Sequence, residues 1–106
     1  MRKYLANGRI SEAQWEAQVK QMALLGGFLY YHTWRSVHSQ SGFPDCVLVK
    51  GEKVIYAELK SEKGNLTPEQ YEWLLALSEA GQEVYLWKPS DYQEVESVLI
   101  RREVIT

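Results

Sequence analysis

The spacing of apolar and polar residues along the chain first predicts an amphipathic helix. Apolar residues recur at helical intervals between positions 15 and 22, Ser11 is suited to cap the N-terminus, and Gly26-Gly27 is expected to end the helix. Aromatic and β-branched residues then dominate positions 28–34, which predicts a strand. Polar and small residues at 36–42 predict a loop after this strand.

Two apolar runs, 45–49 and 54–60, predict strands that are joined by a tight turn. Gly51 in the first central position of this turn suits a type II′ hairpin. The sequence Thr67-Pro68-Glu69-Gln70 is typical of a helix start, with Thr as N-cap, Pro at the first helical position and Gln at the third. This second helix is expected to end at Gly81.

The remaining part of the chain predicts a fourth strand at 84–87 and a last helix from about 91 to 102, capped by Ser90. The element order is therefore α-β-β-β-α-β-α. A hairpin joins antiparallel strands, whereas a crossover through a helix joins parallel ones. The predicted fold class is α/β, with a mixed four-stranded sheet flanked by helices.

Composition limits the range of functions. A chain of 106 residues with 45% hydrophobic and 25% charged residues is expected to form one folded domain over 1–106. It contains no apolar run long enough for a membrane span and no signal peptide pattern, so we expect a cytoplasmic protein without a membrane partner. One cysteine and two histidines exclude an internal disulfide and a four-ligand Cys/His zinc site.

The net charge of −2 argues against nucleic-acid binding through bulk positive charge. The charge is uneven, because residues 1–44 are net positive and residues 45–106 are net negative. A protein of this kind needs a local cationic patch or a metal ion to bind a polyanion.

The predicted hairpin contains the residues that most clearly indicate a chemical function. If Lys50 and Lys53 flank the turn, Asp45 lies opposite Glu58, and directly opposed Cβ atoms are about 4.5–5.5 Å apart. Lys60 projects from the same face, two residues beyond Glu58. The other face of the strand is apolar and is expected to pack inward: Ile55, Ala57 and Leu59.

Two converging carboxylates with a lysine describe a site for a hard cation such as Mg²⁺ or Mn²⁺. The lysine is suited to orient the attacking water or to stabilise the charge that develops on a phosphate. The spacing alone is equally compatible with an exposed aspartate opposite a Glu–Lys pair that merely solvates the strand.

These residues also carry a resemblance to a known family. Gly42-Phe43-Pro44-Asp45 followed by Glu58-Leu59-Lys60 resembles the Pro-Asp…(Asp/Glu)-x-Lys signature of the restriction-endonuclease-like nucleases. Within that superfamily the chain is most similar to the small stand-alone VRR-NUC domains of phages and prophages. The similarity extends to 31–33, 67–70 and 84–89, and covers a core of about 11–99.

The resemblance implies a restriction-endonuclease-like core and assigns roles to matching positions. Asp45 and Glu58 match the metal-binding carboxylates, the backbone carbonyl of Leu59 a further metal ligand, and Lys60 the catalytic lysine. Gln70 matches a glutamine near the metal-bound water, although it is also the third residue of the Thr67 capping box.

The family also has an acidic metal-site residue on the first helix. Glu12 and Glu16 both match, and because they are four residues apart both can lie along one helix face. Spacing to Gly27-Phe28 favours Glu16, whereas the glutamine that many relatives have at the position aligned with Glu16 favours Glu12. Each glutamate is also readily explained as an exposed residue at a helix start.

The loop after the first strand and the loop after the signature are the expected DNA contacts. Trp34 is interpreted as a core residue, with stacking on an unpaired base as the alternative. The candidate DNA-binding residues are His32, Arg35, His38, Ser39, Gln40, Ser41, Lys63 and Asn65.

The resemblance implies an enzyme, a Mg²⁺- or Mn²⁺-dependent DNA endonuclease that leaves a 5′-phosphate, with branched or junction DNA as a candidate substrate. The alternatives are a non-catalytic module that keeps the nuclease fold to bind nucleic acid or a partner, and a structural homodimer. The expected partners are DNA and a second copy of the chain, in the cytoplasm of a phage host or bacterium.

Overall fold

The computed structural model describes residues 10–34 and 39–100 of the chain. The elements in these ranges are α1 (Glu12–Leu25), β1 (Leu29–His32), β2 (Cys46–Lys50), β3 (Lys53–Leu59), α2 (Pro68–Glu79), β4 (Glu83–Trp87), a 3-10 turn (Pro89–Asp91) and α3 (Tyr92–Leu99). The predicted α/β class and the predicted element order are both confirmed. None of the helices described is both long and apolar enough to span a membrane.

The four strands form one mixed sheet in the order β1-β2-β3-β4. β1, β2 and β3 are antiparallel neighbours, and β4 runs parallel to β3 as the helical crossover predicts. In the hairpin, Lys50 pairs with Lys53 and Cys46 with Ala57, which is the predicted register. Gly51 has a φ of +60° at the first central position, as a type II′ turn requires.

The hydrophobic core fills one face of the sheet, beneath α1 and α3. Trp15 and Trp87 are fully buried there, and the Trp15 indole Nε1 donates to the Trp87 backbone carbonyl over 3.0 Å. The inward-facing residues of β3 are buried, as the strand alternation predicts: Ile55, Ala57 and Leu59. The hydrogen bond between the two tryptophans ties the start of α1 to the end of β4.

The opposite face of the sheet is covered thinly by α2, which contains no buried residue. Phe43 packs edge-on against Tyr56 of β3 and Trp73 of α2, with ring centroids 6.1 and 5.1 Å apart. The predicted capping box is present, because the Gln70 N–H donates to the Thr67 hydroxyl and the Thr67 N–H donates to the Gln70 side chain.

Two local predictions are wrong. β1 ends at His32, so Trp34 lies beyond the strand with 78% of its surface exposed and is not a core residue. Ser90 does not cap the last helix, because it lies inside the 3-10 turn and its N–H donates to Glu62. The predicted end of that helix near position 102 lies outside the described residues.

Gly42 allows the loop before Asp45 to pack closely against the start of α2. Gly42 has a φ of +96°, and a Cβ there would lie 2.6 Å from the Glu69 carbonyl group. Gly81 has a similar φ of +87° with open space around it. Gly42→Ala is expected to cost about 2–4 kcal/mol of unfolding free energy, because it adds a backbone clash to the strain of positive φ.

The matched control is Gly81→Ala, which carries the φ strain alone and is expected to cost about 1 kcal/mol. Urea denaturation of both variants measures the difference. Equal losses would show that the loop is free to move away from α2.

Candidate active site

Asp45 and Glu58 meet at the end of the hairpin opposite its turn. Asp45 directly precedes β2, and Glu58 is the penultimate residue of β3, so the pairing register places them opposite one another. The Asp45 carboxylate accepts a hydrogen bond of 2.8 Å from the Leu59 N–H, and its backbone carbonyl accepts one of 2.7 Å from the Thr33 N–H. Asp45 is therefore held by both neighbouring chain segments.

The Glu58 side chain is almost completely buried, with 1% of the residue exposed. Its Oε1 atom is buried without a hydrogen-bond partner. Burial raises the pKa of this carboxyl to about 8, with further contributions from the negative charge of Asp45 and a hydrogen bond to it. The nearby Lys60 acts in the opposite direction but does not compensate.

Lys60 follows the last residue of β3 and remains attached to the sheet, because its N–H donates to the Trp87 carbonyl over 3.1 Å. Its ammonium Nζ lies 3.9 Å from Glu58 Oε2, and only 13% of the side chain is exposed. A largely desolvated cation beside the carboxylate pair acts more strongly on a bound anion than a solvated surface lysine does.

The two candidate acids of α1 have different surroundings. The pKa of Glu12 is raised by partial burial and by the charge of Asp45, and it is lowered by Lys60, so Glu12 lies within the field of the hairpin residues. Glu16 instead contacts the imidazole Nδ1 of His32 and accepts a hydrogen bond of 3.4 Å from the Tyr30 hydroxyl.

The residues present fit a hard divalent cation. Asp45 and Glu58 offer carboxylate oxygens, and Leu59 adds a backbone carbonyl. The buried Oε1 atom of Glu58 accepts no hydrogen bond from the described residues, so it is available to bind a cation. Within residues 10–34 and 39–100, no three His, Cys, Asp or Glu side chains are grouped closely enough to form a metal site by themselves. Mg²⁺ commonly keeps several water ligands and needs only one or two carboxylates.

A cleft of about 1200 Å³ adjoins this end of the sheet. It lies between the end of β1, the loop before Asp45 and the start of α2. The described residues that line it are Tyr31, His32, Thr33, Trp34, Ser39, Gln40, Ser41, Gly42, Phe43, Asp45, Thr67, Glu69, Gln70 and Trp73.

Several predicted site residues therefore meet in one place, and others do not. His32, Ser39, Ser41 and Gln70 line the same cleft as Asp45, although the Gln70 side-chain oxygen also serves the α2 capping box. Lys63 and Asn65 are exposed and do not line the cleft. The cleft lining also does not include the other candidates of the metal and catalytic site: Glu12, Glu16, Glu58, Leu59 and Lys60. Arg35 and His38 lie outside the described residues.

Sequence reasoning missed two features of the site. The pairing of Glu16 with His32 depends on how α1 crosses β1, which no local pattern encodes. The exposure of Tyr31 is different, because strand alternation predicts it. Tyr30 and His32 both contact Glu16 of α1, so Tyr31 between them faces the other side of the sheet.

Comparison with known proteins gives one family. The model of the VRR-NUC domain matches residues 7–90, which is most of the chain. Neither the curated proteins nor the solved structures contain a significant match.

The buried Glu58 predicts a pH-dependent cost in stability. Its pKa in the folded state is about 8, above its ordinary value of 4.5, so the folded protein loses stability as the pH rises from about 4.5 to about 8. Glu58→Gln removes the titrating charge and is expected to stabilise the metal-free protein on the order of 1–3 kcal/mol at pH 8.5, with little effect at pH 4.5.

Thermal unfolding in EDTA at the two pH values measures this difference. Glu52→Gln, in the exposed turn of the same hairpin, is the control and should give no pH-dependent gain. A Glu58→Gln protein that is less stable than wild type at pH 8.5 would mean that the buried carboxylate is compensated within the protein.

Proposed function

The chain belongs to the VRR-NUC domain family, whose function is of the nuclease type, and from this membership we propose that it hydrolyses phosphodiester bonds of DNA with the help of a divalent cation. The observation that carries the proposal is the buried Glu58 opposite the half-buried Asp45, with Lys60 beside Glu58 and with Asp45 lining an accessible cleft. The restriction-endonuclease-like superfamily assignment agrees with this family.

Asp45, Glu58 and the Leu59 carbonyl are the proposed ligands of Mg²⁺ or Mn²⁺. A bound cation supplies Lewis-acid stabilisation of negative charge on the phosphate and favours deprotonation of water. The support lies in the donor set, which consists only of hard oxygens, and in the unpartnered Glu58 oxygen. The hydrogen bond from Leu59 N–H to Asp45 orients one carboxylate before any cation binds.

Lys60 is proposed to act on the reacting phosphate. Hydrolysis adds a water oxygen to phosphorus while the bond to the 3′ oxygen breaks, which leaves a 5′-phosphate on the product. Negative charge increases on the phosphate oxygens and on the departing oxygen during this step. The Lys60 ammonium, largely desolvated and 3.9 Å from Glu58 Oε2, is suited to stabilise that charge or to orient the attacking water.

Glu12 is proposed as the first-helix acid of the metal site, in preference to Glu16, and as a residue beyond the direct ligands, because it does not group with Asp45 and Glu58 as a third ligand. The field of Asp45 and Lys60 reaches Glu12, whereas the Glu16 carboxylate is engaged by His32 and Tyr30. Glu16 then orients His32, a lining residue of the cleft that is proposed to contact the DNA backbone.

The remaining parts of the proposal concern the substrate and its surroundings. Gln70 is proposed to orient water near the cation, and the loops before Asp45 and after Lys60 are proposed to contact the DNA backbone. These contacts include Ser39, Ser41, Lys63 and Asn65, together with Arg35 and His38. Cleavage of branched or junction DNA by a homodimer in the cytoplasm of a phage host is the finer form of the proposal, and it rests on the resemblance of the signature.

The mechanism predicts that loss of Lys60 and loss of a metal ligand have different consequences. Lys60→Ala is expected to lower the single-turnover cleavage rate of a branched DNA about 10²–10³-fold, because one electrostatic contact in the transition state is lost. Lys60→Arg should not restore the rate, since a planar guanidinium does not replace a compact ammonium. Both variants should keep the thermal stabilisation by Mn²⁺.

Asp45→Ala is expected to lose both cleavage and stabilisation by Mn²⁺, with partial recovery of cleavage at high Mn²⁺ concentration. Lys53→Ala is the matched control, because Lys53 lies at the other end of β3 and pairs with Glu83 over 3.4 Å. A Lys60→Ala protein that cuts at the wild-type rate would overturn the mechanism and favour a non-catalytic binding module.

Substitution of the two α1 glutamates tests the choice between them. Glu12→Gln is expected to weaken Mn²⁺ binding about 10-fold, because a carboxylate near the cation is lost, while Glu16→Gln changes it less than about 2-fold. Titration calorimetry with Mn²⁺ measures both affinities. The reverse order of effects would assign Glu16 to the metal site.

A further inference from the structure

Two large aromatic side chains are exposed beside the proposed active site. Tyr31 is 60% exposed and Trp34 is 78% exposed, and both line the cleft that contains Asp45. Exposure of two neighbouring aromatic residues in a cleft marks a binding surface more often than an isolated exposed residue does. Neither residue belongs to the signature that identifies the metal site.

The strand register places this aromatic pair close to Asp45. Tyr31 pairs with Val47, and Asp45 lies two residues before Val47, so Tyr31 and Asp45 project from the same face of the sheet. Diagonal neighbours of this kind have Cα atoms about 7–8 Å apart. The hydrogen bond from Thr33 to the Asp45 carbonyl keeps the end of β1, and hence Trp34, at the same site.

The charges of the cleft favour a base over a phosphate as the group bound by these rings. Among the described residues that line the cleft there is no lysine or arginine, and Asp45 and Glu69 are acidic. The described part of the lining therefore offers no lysine or arginine partner for a phosphate beside the two rings. Nucleobases offer flat, uncharged faces that stack on aromatic side chains, and this contact does not require positive charge.

We propose that Tyr31 and Trp34 form a stacking surface for an unpaired nucleobase adjacent to the scissile phosphate. The inference rests on the proposed nuclease function, because it is the proposed metal site at Asp45 that makes the neighbouring phosphate the scissile one. Bases within a duplex are covered on both faces by their neighbours, so a paired base reaches this surface only after it is unstacked. The surface thus selects DNA strands with an unpaired base over continuous duplex.

A binding experiment without metal tests the stacking surface separately from cleavage. Fluorescein-labelled DNA flaps are titrated with the full chain in EDTA and followed by anisotropy. One flap carries a normal unpaired nucleotide at the branch point, and a second carries an abasic nucleotide there, which keeps the phosphates but lacks the base. The variants are Trp34→Ala, Trp34→Phe and Tyr31→Ala.

Wild type is expected to bind the normal flap about 5- to 100-fold more tightly than the abasic flap. Trp34→Ala and Tyr31→Ala should each reduce this preference at least 3-fold without changing affinity for the abasic flap, and Trp34→Phe should keep most of it. Tyr71→Ala is the matched control, because Tyr71 is 58% exposed but does not line the cleft. It should leave both affinities unchanged.

Each other outcome overturns the proposal. Equal binding of the two flaps by wild type would show that no base is stacked, and equal losses on both flaps in the variants would show that these residues act through the backbone. An aromatic pair that instead binds another protein would leave both DNA affinities unchanged on substitution. Cleavage in Mn²⁺ is measured separately, so a base preference without cleavage contradicts the nuclease proposal alone, and cleavage without a base preference contradicts the stacking proposal alone.

Discussion

The burial of Glu58 next to Asp45 is the constraint on which the functional end of this molecule depends. An isolated buried carboxylate is costly, and this one has a buried oxygen without a hydrogen-bond partner and a pKa raised to about 8. Lys60 lies 3.9 Å away and compensates only in part. A bound cation would neutralise the buried Glu58 carboxylate and contact its unpartnered oxygen, so cation binding would offset the cost of burying this residue.

The architecture maintains this arrangement through an asymmetric sheet. On one face α1 and α3 cover a dense core, and the hydrogen bond between Trp15 and Trp87 fixes the strand ends from which Lys60 emerges. On the other face α2 contributes no buried residue, which leaves the cleft between the end of β1 and the start of α2 accessible. Stability and access are thus supplied by opposite faces of the same four strands.

Local sequence patterns predicted most of the fold because each depends on neighbouring residues. The Thr67–Gln70 capping box, the Gly51 turn and the hairpin register are of this kind, and the register alone was enough to place Asp45 opposite Glu58. The end of β1 and the engagement of Glu16 by His32 depend on tertiary packing. Trp34 was misjudged for the same reason, because exposure is decided by what the rest of the chain leaves uncovered.

The number of protons displaced when Mn²⁺ binds the metal-free protein tests this account most directly. Titration calorimetry at pH 7 in two buffers of different ionisation enthalpy measures it. Because the pKa of Glu58 is about 8 without a cation, wild type is expected to release about one proton per cation bound, and Glu58→Gln none. Mn²⁺ binding by wild type without proton release, or equal release by the variant, would contradict the claim that the cation compensates the buried carboxylate.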